Sequence, residues 1–173
     1  MDILILRLIH ILAGVFWVGA VFTNAFFLQP TAEALGPEAG RFQLRLMGAA
    51  RFPAAILSSG GVTIAAGITL LWLTTNGFDP ELLFGQSRVG FTFGGTVAIL
   101  TFGVGSLYVY PRIKRISRVM GRLMSEGRPP NADEQADIGT IREQLHVAGW
   151  ITVIGLATAV AAMATARYWG VVL

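Results

Sequence analysis

Histidine supplies the side chains of this sequence best suited to binding a metal or cofactor, since none of its 173 residues is cysteine. His10 lies on one helical stripe with Gly14, Trp17, Val21 and Asn24. This stripe carries the only His, the only Trp and the only Asn of the apolar segment that contains it. We therefore expect the stripe to face the protein interior.

Two arginines flank His10 in the predicted arrangement. Arg7 lies one helical turn before it, and Arg88 begins the third apolar segment on the same outer side. An imidazole nitrogen can ligate haem iron, and a guanidinium can hold a propionate through two hydrogen bonds. The pattern predicts a haem half-site with His10 as the iron ligand, and the predicted cofactor-binding residues are Arg7, His10, Gly14, Trp17 and Arg88. The alternative is that His10 hydrogen-bonds a Thr or Ser of another helix, while Arg7 extends toward the headgroups.

His146 begins the fourth apolar segment, close to Arg142 and Trp150. Because the first and fourth segments are predicted to run antiparallel, about 1.5 Å of rise per residue separates the two histidines by roughly 20 Å along the membrane normal. One haem cannot use both. We interpret His146 as an interfacial residue, and a second axial ligand would be a non-histidine group or His10 of a symmetry-related subunit.

The composition identifies the solvent as a bilayer. Hydrophobic residues make up 54% and charged residues 13%, with a mean hydropathy of +0.63, which excludes a soluble enzyme, a disordered chain and a nucleic-acid binder. Four segments are long enough to span, at about 3–28, 53–75, 89–110 and 145–169. The first is expected to end before Pro30, because the residue before a proline disfavours the helical region. The third meets Pro111 at its end. We predict an all-α, up-down-up-down four-helix bundle in one transmembrane domain, residues 1–173.

Charge predicts the orientation of this bundle. The connections 29–52 and 111–144, with their flanks, hold ten of the 13 Lys and Arg residues, whereas the loop 76–88 and the termini hold three. The positive-inside rule makes both connections cytoplasmic and both termini extracytoplasmic. Within them, 37–50 resembles a short amphipathic helix beginning at Pro37. In the second connection, Asn131 with Glu134 three residues later resembles a capping box, which predicts that the fourth helix begins near Ala132. After Pro111, apolar side chains recur at helical spacing with basic side chains between them. This pattern indicates attraction to anionic headgroups or to a partner. The alternative is a helix extension whose charges only set the orientation.

Small residues at four-residue steps predict close helix packing, since lipid provides no hydrophobic drive between helices. The stripes are Ser59–Thr63–Gly67, Gly90–Gly94–Ala98, Ala157–Ala161–Thr165 and Gly155–Ala159. They leave open whether the chain also forms a homo-oligomer. The sequence offers few residues suited to transport, because the spans have no central carboxylate for protons and the five Met residues form no path for a metal ion.

The first segment, with Leu8-Ile9-His10-Ile11 and Phe16-Trp17-Val18-Gly19, resembles the opening helix of small bacterial membrane proteins of the CopD and HemJ type. Arg51-Phe52-Pro53-Ala54-Ala55-Ile56-Leu57 is similar to their Pro-led second helix. The resemblance implies a haem-linked His at position 10 and a bacterial inner (plasma) membrane location. The chain departs from the HemJ-type oxidases, whose third helix carries a Lys that is absent between Val89 and Tyr110.

The leading hypothesis is a membrane protein of CopD/HemJ-like type that binds b-type haem or porphyrin through His10 in a redox role. One alternative is a cofactor-free structural or accessory subunit of a membrane complex or homo-oligomer. A weaker alternative is a small-molecule or metal transporter. The expected partners are the lipid bilayer and a second copy or larger membrane complex, with no nucleic acid. Whether the protein is an enzyme stays open.

Overall fold

The computed structural model describes residues 2–36, 39–85 and 88–169, and within these ranges every regular element is helical. Four continuous helices are long and apolar enough to cross a membrane: Ile3–Leu35, Phe52–Thr74, Val89–Glu126 and Ala132–Tyr168. The prediction of an all-α protein with four candidate membrane helices is confirmed.

The helical elements are α1 (Ile3–Thr23), α2 (Gln29–Leu35), α3 (Ala39–Leu44), α4 (Phe52–Thr74), α5 (Pro80–Leu83), α6 (Val89–Gly103), α7 (Tyr110–Glu126) and α8 (Ala132–Thr165). Turns of π-helix occupy Asn24–Leu28, Arg45–Ala49 and Val104–Val109, and a 3₁₀ turn follows α8 at Ala166–Tyr168. The predicted amphipathic helix in the first connection corresponds to α3 and its π turn, while its proposed first residue, Pro37, lies outside the described residues.

One of the predicted helix ends is wrong, because the chain remains helical through Pro30 into α2. The chain also remains helical through Pro111 into α7, as the helix-extension alternative for the residues after Pro111 predicts. Each proline lies two residues beyond the last residue of a π turn. Proline removes an amide donor and clashes with the carbonyl four residues earlier. A π turn at that carbonyl shifts the hydrogen-bond register, so the helix passes the proline without a break.

The start of α8 is confirmed at Ala132. The Asn131 side chain accepts from the Glu134 amide at 2.8 Å, and the Glu134 carboxylate accepts from the Asn131 amide at 3.0 Å. This reciprocal pair is a capping box. With 34 residues, α8 is about 51 Å long, whereas the hydrocarbon core measures about 30 Å. The polar first turns of α8 therefore extend beyond the apolar span.

The four long helices form two closely packed pairs. The first helix pair is α1 with α4, and the second helix pair is α6 with α8. Contacts in the first pair run from His10 with Thr63 to Trp17 with Gly60, so the two helices are antiparallel. The second pair shows the same reversal, from Gly90 with Ala166 to Thr101 with Gly155.

Two aromatic pairs contribute to the contacts between the helix pairs. The ring centroids of Trp17 and Phe102 are 5.8 Å apart in an edge-to-face arrangement. In the π turn that follows α1, Phe26 meets Trp150 with ring centroids 5.6 Å apart. Such geometry is favoured by the ring quadrupoles. Aromatic rings therefore link the two pairs, while glycines bring the helices of each pair close together.

The small-residue stripes predict three of the packing faces correctly. Thr63 and Gly67 face α1, Gly90 and Gly94 face α8, and Gly155 packs on Thr101 of α6. The stripe Ala157–Ala161–Thr165 is wrong, because all three residues are exposed. Ala159 and Ala162 are buried in their place. Position 157 is two residues from 159, which rotates it by about 200° to the far side of the helix.

Candidate functional site

The imidazole of His10 bridges the first helix pair. Its Nδ1 atom lies 2.8 Å from the backbone carbonyl oxygen of Thr63 on α4. Because a carbonyl can only accept, Nδ1 carries the proton, and in the neutral ring Nε2 then holds the lone pair. Histidines that bind metals commonly donate their other ring N–H to a backbone carbonyl in this way. The hydrogen bond therefore fixes the orientation of the His10 ring and leaves the Nε2 lone pair outside this contact.

Gly67 makes this approach possible. A Cβ atom at position 67 would lie 2.8 Å from His10 Cε1 and 3.1 Å from Nδ1. In an α-helix the Thr63 carbonyl also accepts the amide of residue 67, so the imidazole shares an oxygen that already has a partner. Neither Thr63 nor Gly67 was predicted as a site residue. Their position in the small-residue stripe of α4 was the available signal.

One helical turn from His10, Gly14 of α1 lies against the Thr63 side chain of α4. A Cβ at Gly14 would lie 3.4 Å from the Thr63 methyl group, so Gly14 packs against α4. The Thr63 hydroxyl donates to the Ser59 carbonyl at 2.8 Å. His10 consequently bonds Thr63 through the backbone and not through the hydroxyl.

Trp17 is 4% exposed, and this burial places it at the junction of the two helix pairs. Its ring meets Phe102, and both rings sit over Gly60, where a Cβ would lie 2.9 Å from each. Two turns separate Trp17 from His10, so the tryptophan anchors the stripe that presents the imidazole.

The two arginines lie elsewhere. Arg88 precedes α6, and its Nη1 donates to the Thr74 carbonyl at 2.6 Å, which caps the last turn of α4. Thr74 lies about 10 Å beyond Gly67 along α4. The Arg7 side chain is exposed. Among the described residues, no hydrogen bond or ion pair joins either arginine to His10.

His146 is exposed on α8. Within residues 2–36, 39–85 and 88–169, no group of three or more His, Asp or Glu side chains could enclose a metal ion. A single imidazole is sufficient as an axial ligand of haem iron, which the macrocycle otherwise holds. The donor set therefore fits a haem better than a bare metal ion.

A charged network closes the connection between α7 and α8. Glu134 pairs with Arg128 at 2.7 Å and with Arg122 at 2.8 Å, and Arg115 pairs with Asp137 at 2.9 Å. Hydrogen bonds from the Arg128 side chain and from the Asn131 amide lower the pKa of Glu134 to about 2. The same carboxylate, with Glu126, raises the pKa of Arg128.

Comparisons with models of protein families, with curated proteins and with solved structures found no match to this chain. The contacts around His10 are therefore the basis for a functional assignment.

Proposed function

We propose that this multi-pass membrane protein binds b-type haem or porphyrin through Nε2 of His10 and serves in a redox role. The observation that supports the proposal is the hydrogen bond from His10 Nδ1 to the Thr63 carbonyl. It holds the imidazole in the tautomer whose Nε2 lone pair is available to iron. Bound haem would supply one-electron chemistry, which none of the side chains near His10 provides.

The chain's own residues would position and tune this ligand. The Thr63 carbonyl fixes the ring orientation and increases the basicity of Nε2, as second-shell acceptors do in metal sites. Gly67 admits the ring to that carbonyl. Trp17 lies two turns from His10 on α1 and packs against Phe102, so the imidazole belongs to a helix whose position is fixed by packing.

The remaining coordination would come from outside the first helix pair. A further group that would help to hold the cofactor is a non-histidine side chain or His10 of a second copy. The exposed Arg7 side chain is one turn from His10 and would reach a propionate there. Arg88 would do so only by leaving the Thr74 carbonyl.

We further propose the membrane orientation that the charges predict, with the basic connections in the cytoplasm of a bacterial inner membrane and both termini outside. His10 then lies in the outer half of the bilayer. The resemblance to CopD/HemJ-like proteins implies the same ligand, His10.

An absorbance spectrum tests the cofactor. The full chain is expressed with added haem precursor and purified in detergent. We expect a Soret band that is lost in His10→Gly, restored to that variant by added imidazole, and retained in His146→Ala. No Soret band in the wild type would contradict the proposal, and a band that survives in His10→Gly without imidazole would show that His10 is not the ligand.

The alternative, a cofactor-free structural or accessory subunit, is favoured by one observation. The Thr63 carbonyl and Gly67 already accommodate His10 within the first helix pair, without any cofactor. This function predicts a stable assembly in native mass measurements and a wild-type spectrum without a Soret band. A monomer at all accessible concentrations would contradict it.

A further inference from the structure

A half-open cavity of about 730 Å³ lies where the first connection meets α7. Arg51, Lys114 and Arg118 line it, together with the apolar side chains of Met47, Pro53 and Ile113. The volume lies within the range of roughly 300–1,000 Å³ of small-molecule sites. The cavity therefore combines three cations with an apolar wall.

The three cations have no carboxylate partner among the described residues, in contrast to three basic residues of α7 and the loop that follows it. Arg115, Arg122 and Arg128 are neutralised by carboxylates of the α7–α8 connection or its flanks. No ion pair among the described residues uses Arg51, Lys114 or Arg118, and no described Asp or Glu lines the cavity. The Lys114 ammonium lies 5.0 Å from the centre of the Tyr110 ring, which holds it at the cavity wall.

Arg51 takes a backbone conformation that suits glycine. Its φ of 50° and ψ of 30° lie in the left-handed region, which costs a branched or bulky residue energy. The residue also precedes the 23-residue α4, whose amino end carries the positive pole of the helix dipole. An arginine at this position places a cation beside that positive pole, an arrangement that an anion would stabilise.

The position of the cavity indicates the source of the anion. Pro53 lies in the first turn of α4, and Tyr110 follows the apolar part of α6 and its π turn. Both residues mark the ends of apolar segments, at the depth where lipid headgroups lie. A soluble phosphate would leave the Met47, Pro53 and Ile113 surfaces unfilled, whereas the glycerol and upper acyl chain of a lipid would cover them.

We propose that this cavity binds the phosphate of an anionic phospholipid, with Arg51, Lys114 and Arg118 as its ligands. Site occupancy would tie the first connection to α7, since both contribute to the cavity wall. The proposal is independent of the haem assignment. The cavity lies at the amino end of α4, whereas His10 contacts α4 further along, at Thr63 and Gly67.

Native mass spectrometry of the detergent-solubilised full chain tests this site. The probes are dioleoylphosphatidylglycerol, dioleoylphosphatidylcholine and inorganic phosphate. We expect one phosphatidylglycerol to be retained in preference to phosphatidylcholine, and inorganic phosphate at millimolar concentration not to displace it. Arg51→Gly and Lys114→Gln should each weaken retention about fivefold, as expected for one cation at a lipid surface.

Arg51→Gly is the sharper variant, because glycine relieves the left-handed backbone, and misfolding would not explain a loss. Arg142→Gln is the matched control, since it removes one positive charge from the same end but outside the cavity. The proposal is overturned if both lipids are retained equally, if Arg51→Gly behaves as wild type, or if Arg142→Gln loses as much. Displacement by inorganic phosphate would also overturn it, in favour of a soluble phosphate ligand.

Discussion

Gly90 and Gly94 of the second helix pair and Gly67 of the first serve different purposes. In the second pair, Gly94 lies against the Ala159 carbonyl and Gly90 against the Ala166 backbone, so glycine allows two backbones to touch. In the first pair, Gly67 faces the imidazole of His10. Glycine there admits a polar side chain to a carbonyl of the neighbouring helix. The same residue type thus builds a closed contact in one pair and a candidate ligand site in the other.

This difference shows which contacts can yield. Backbone atoms in the middle of a helix cannot move without distorting its hydrogen bonds, while an imidazole can rotate away. An added methyl group at Gly90 or Gly94 should therefore lower the free energy of unfolding more than one at Gly67. A methyl group at Gly67 should instead disturb the position of the His10 imidazole.

Gly94→Ala should have the largest effect. Its Cβ would lie 2.9 Å from the Ala159 carbonyl oxygen and 2.8 Å from Met163 Cγ. We expect the free energy of unfolding, measured by titration with denaturing detergent, to fall by about 2 kcal/mol. Gly95→Ala is the control, because no atom lies within 4 Å of its Cβ position. Equal stability of the two variants would contradict the close packing of α6 on α8.

Gly67→Ala should cost less stability but disturb His10. The new methyl group would displace the imidazole from the Thr63 carbonyl, a hydrogen bond worth about 0.6 kcal/mol in membrane helices. We expect a loss of about 1 kcal/mol and a weakened or shifted Soret band. Gly61→Ala, whose Cβ would meet only Phe102 at 3.8 Å, should change neither quantity.

A double-mutant cycle sharpens this comparison. If Gly67→Ala acts through the imidazole, its cost in unfolding free energy should largely disappear in the His10→Ala background, since the clashing ring is gone. Additive effects would show that Gly67 contributes through other contacts of α4.

The smallest effect concerns Glu134, whose charge links α7 to α8 beyond the apolar spans. Its pKa of about 2 lies below the ordinary glutamate value, so its contribution to stability is present above about pH 4 and is lost as the pH falls toward 2. Glu134→Gln should remove this part of the pH dependence of the thermal midpoint. Glu143→Gln, on the same helix, should retain it, and identical profiles for both variants would contradict the role of Glu134.

Sequence reasoning identified the apolar segments, the capping box at Asn131 and the face of α1, with His10 and Trp17, that packs against the other helices. It failed at Pro30, because the rule that proline ends a helix neglects the π turn that precedes this residue. It also predicted two packing faces on α8, of which Gly155–Ala159 is correct and Ala157–Ala161–Thr165 is wrong. Both faces carry small residues at four-residue spacing, so spacing alone could not distinguish them.

The low charge and the lengths of the apolar runs by themselves determined that this chain has four helices long and apolar enough to cross a membrane, since a helix of that length satisfies its own backbone groups in lipid. Tertiary structure decided which atom His10 contacts, because a hydrogen bond between helices depends on their relative rotation and separation to within an ångström. It also brought Arg51 beside Lys114 and Arg118, residues that are more than sixty positions away in the chain.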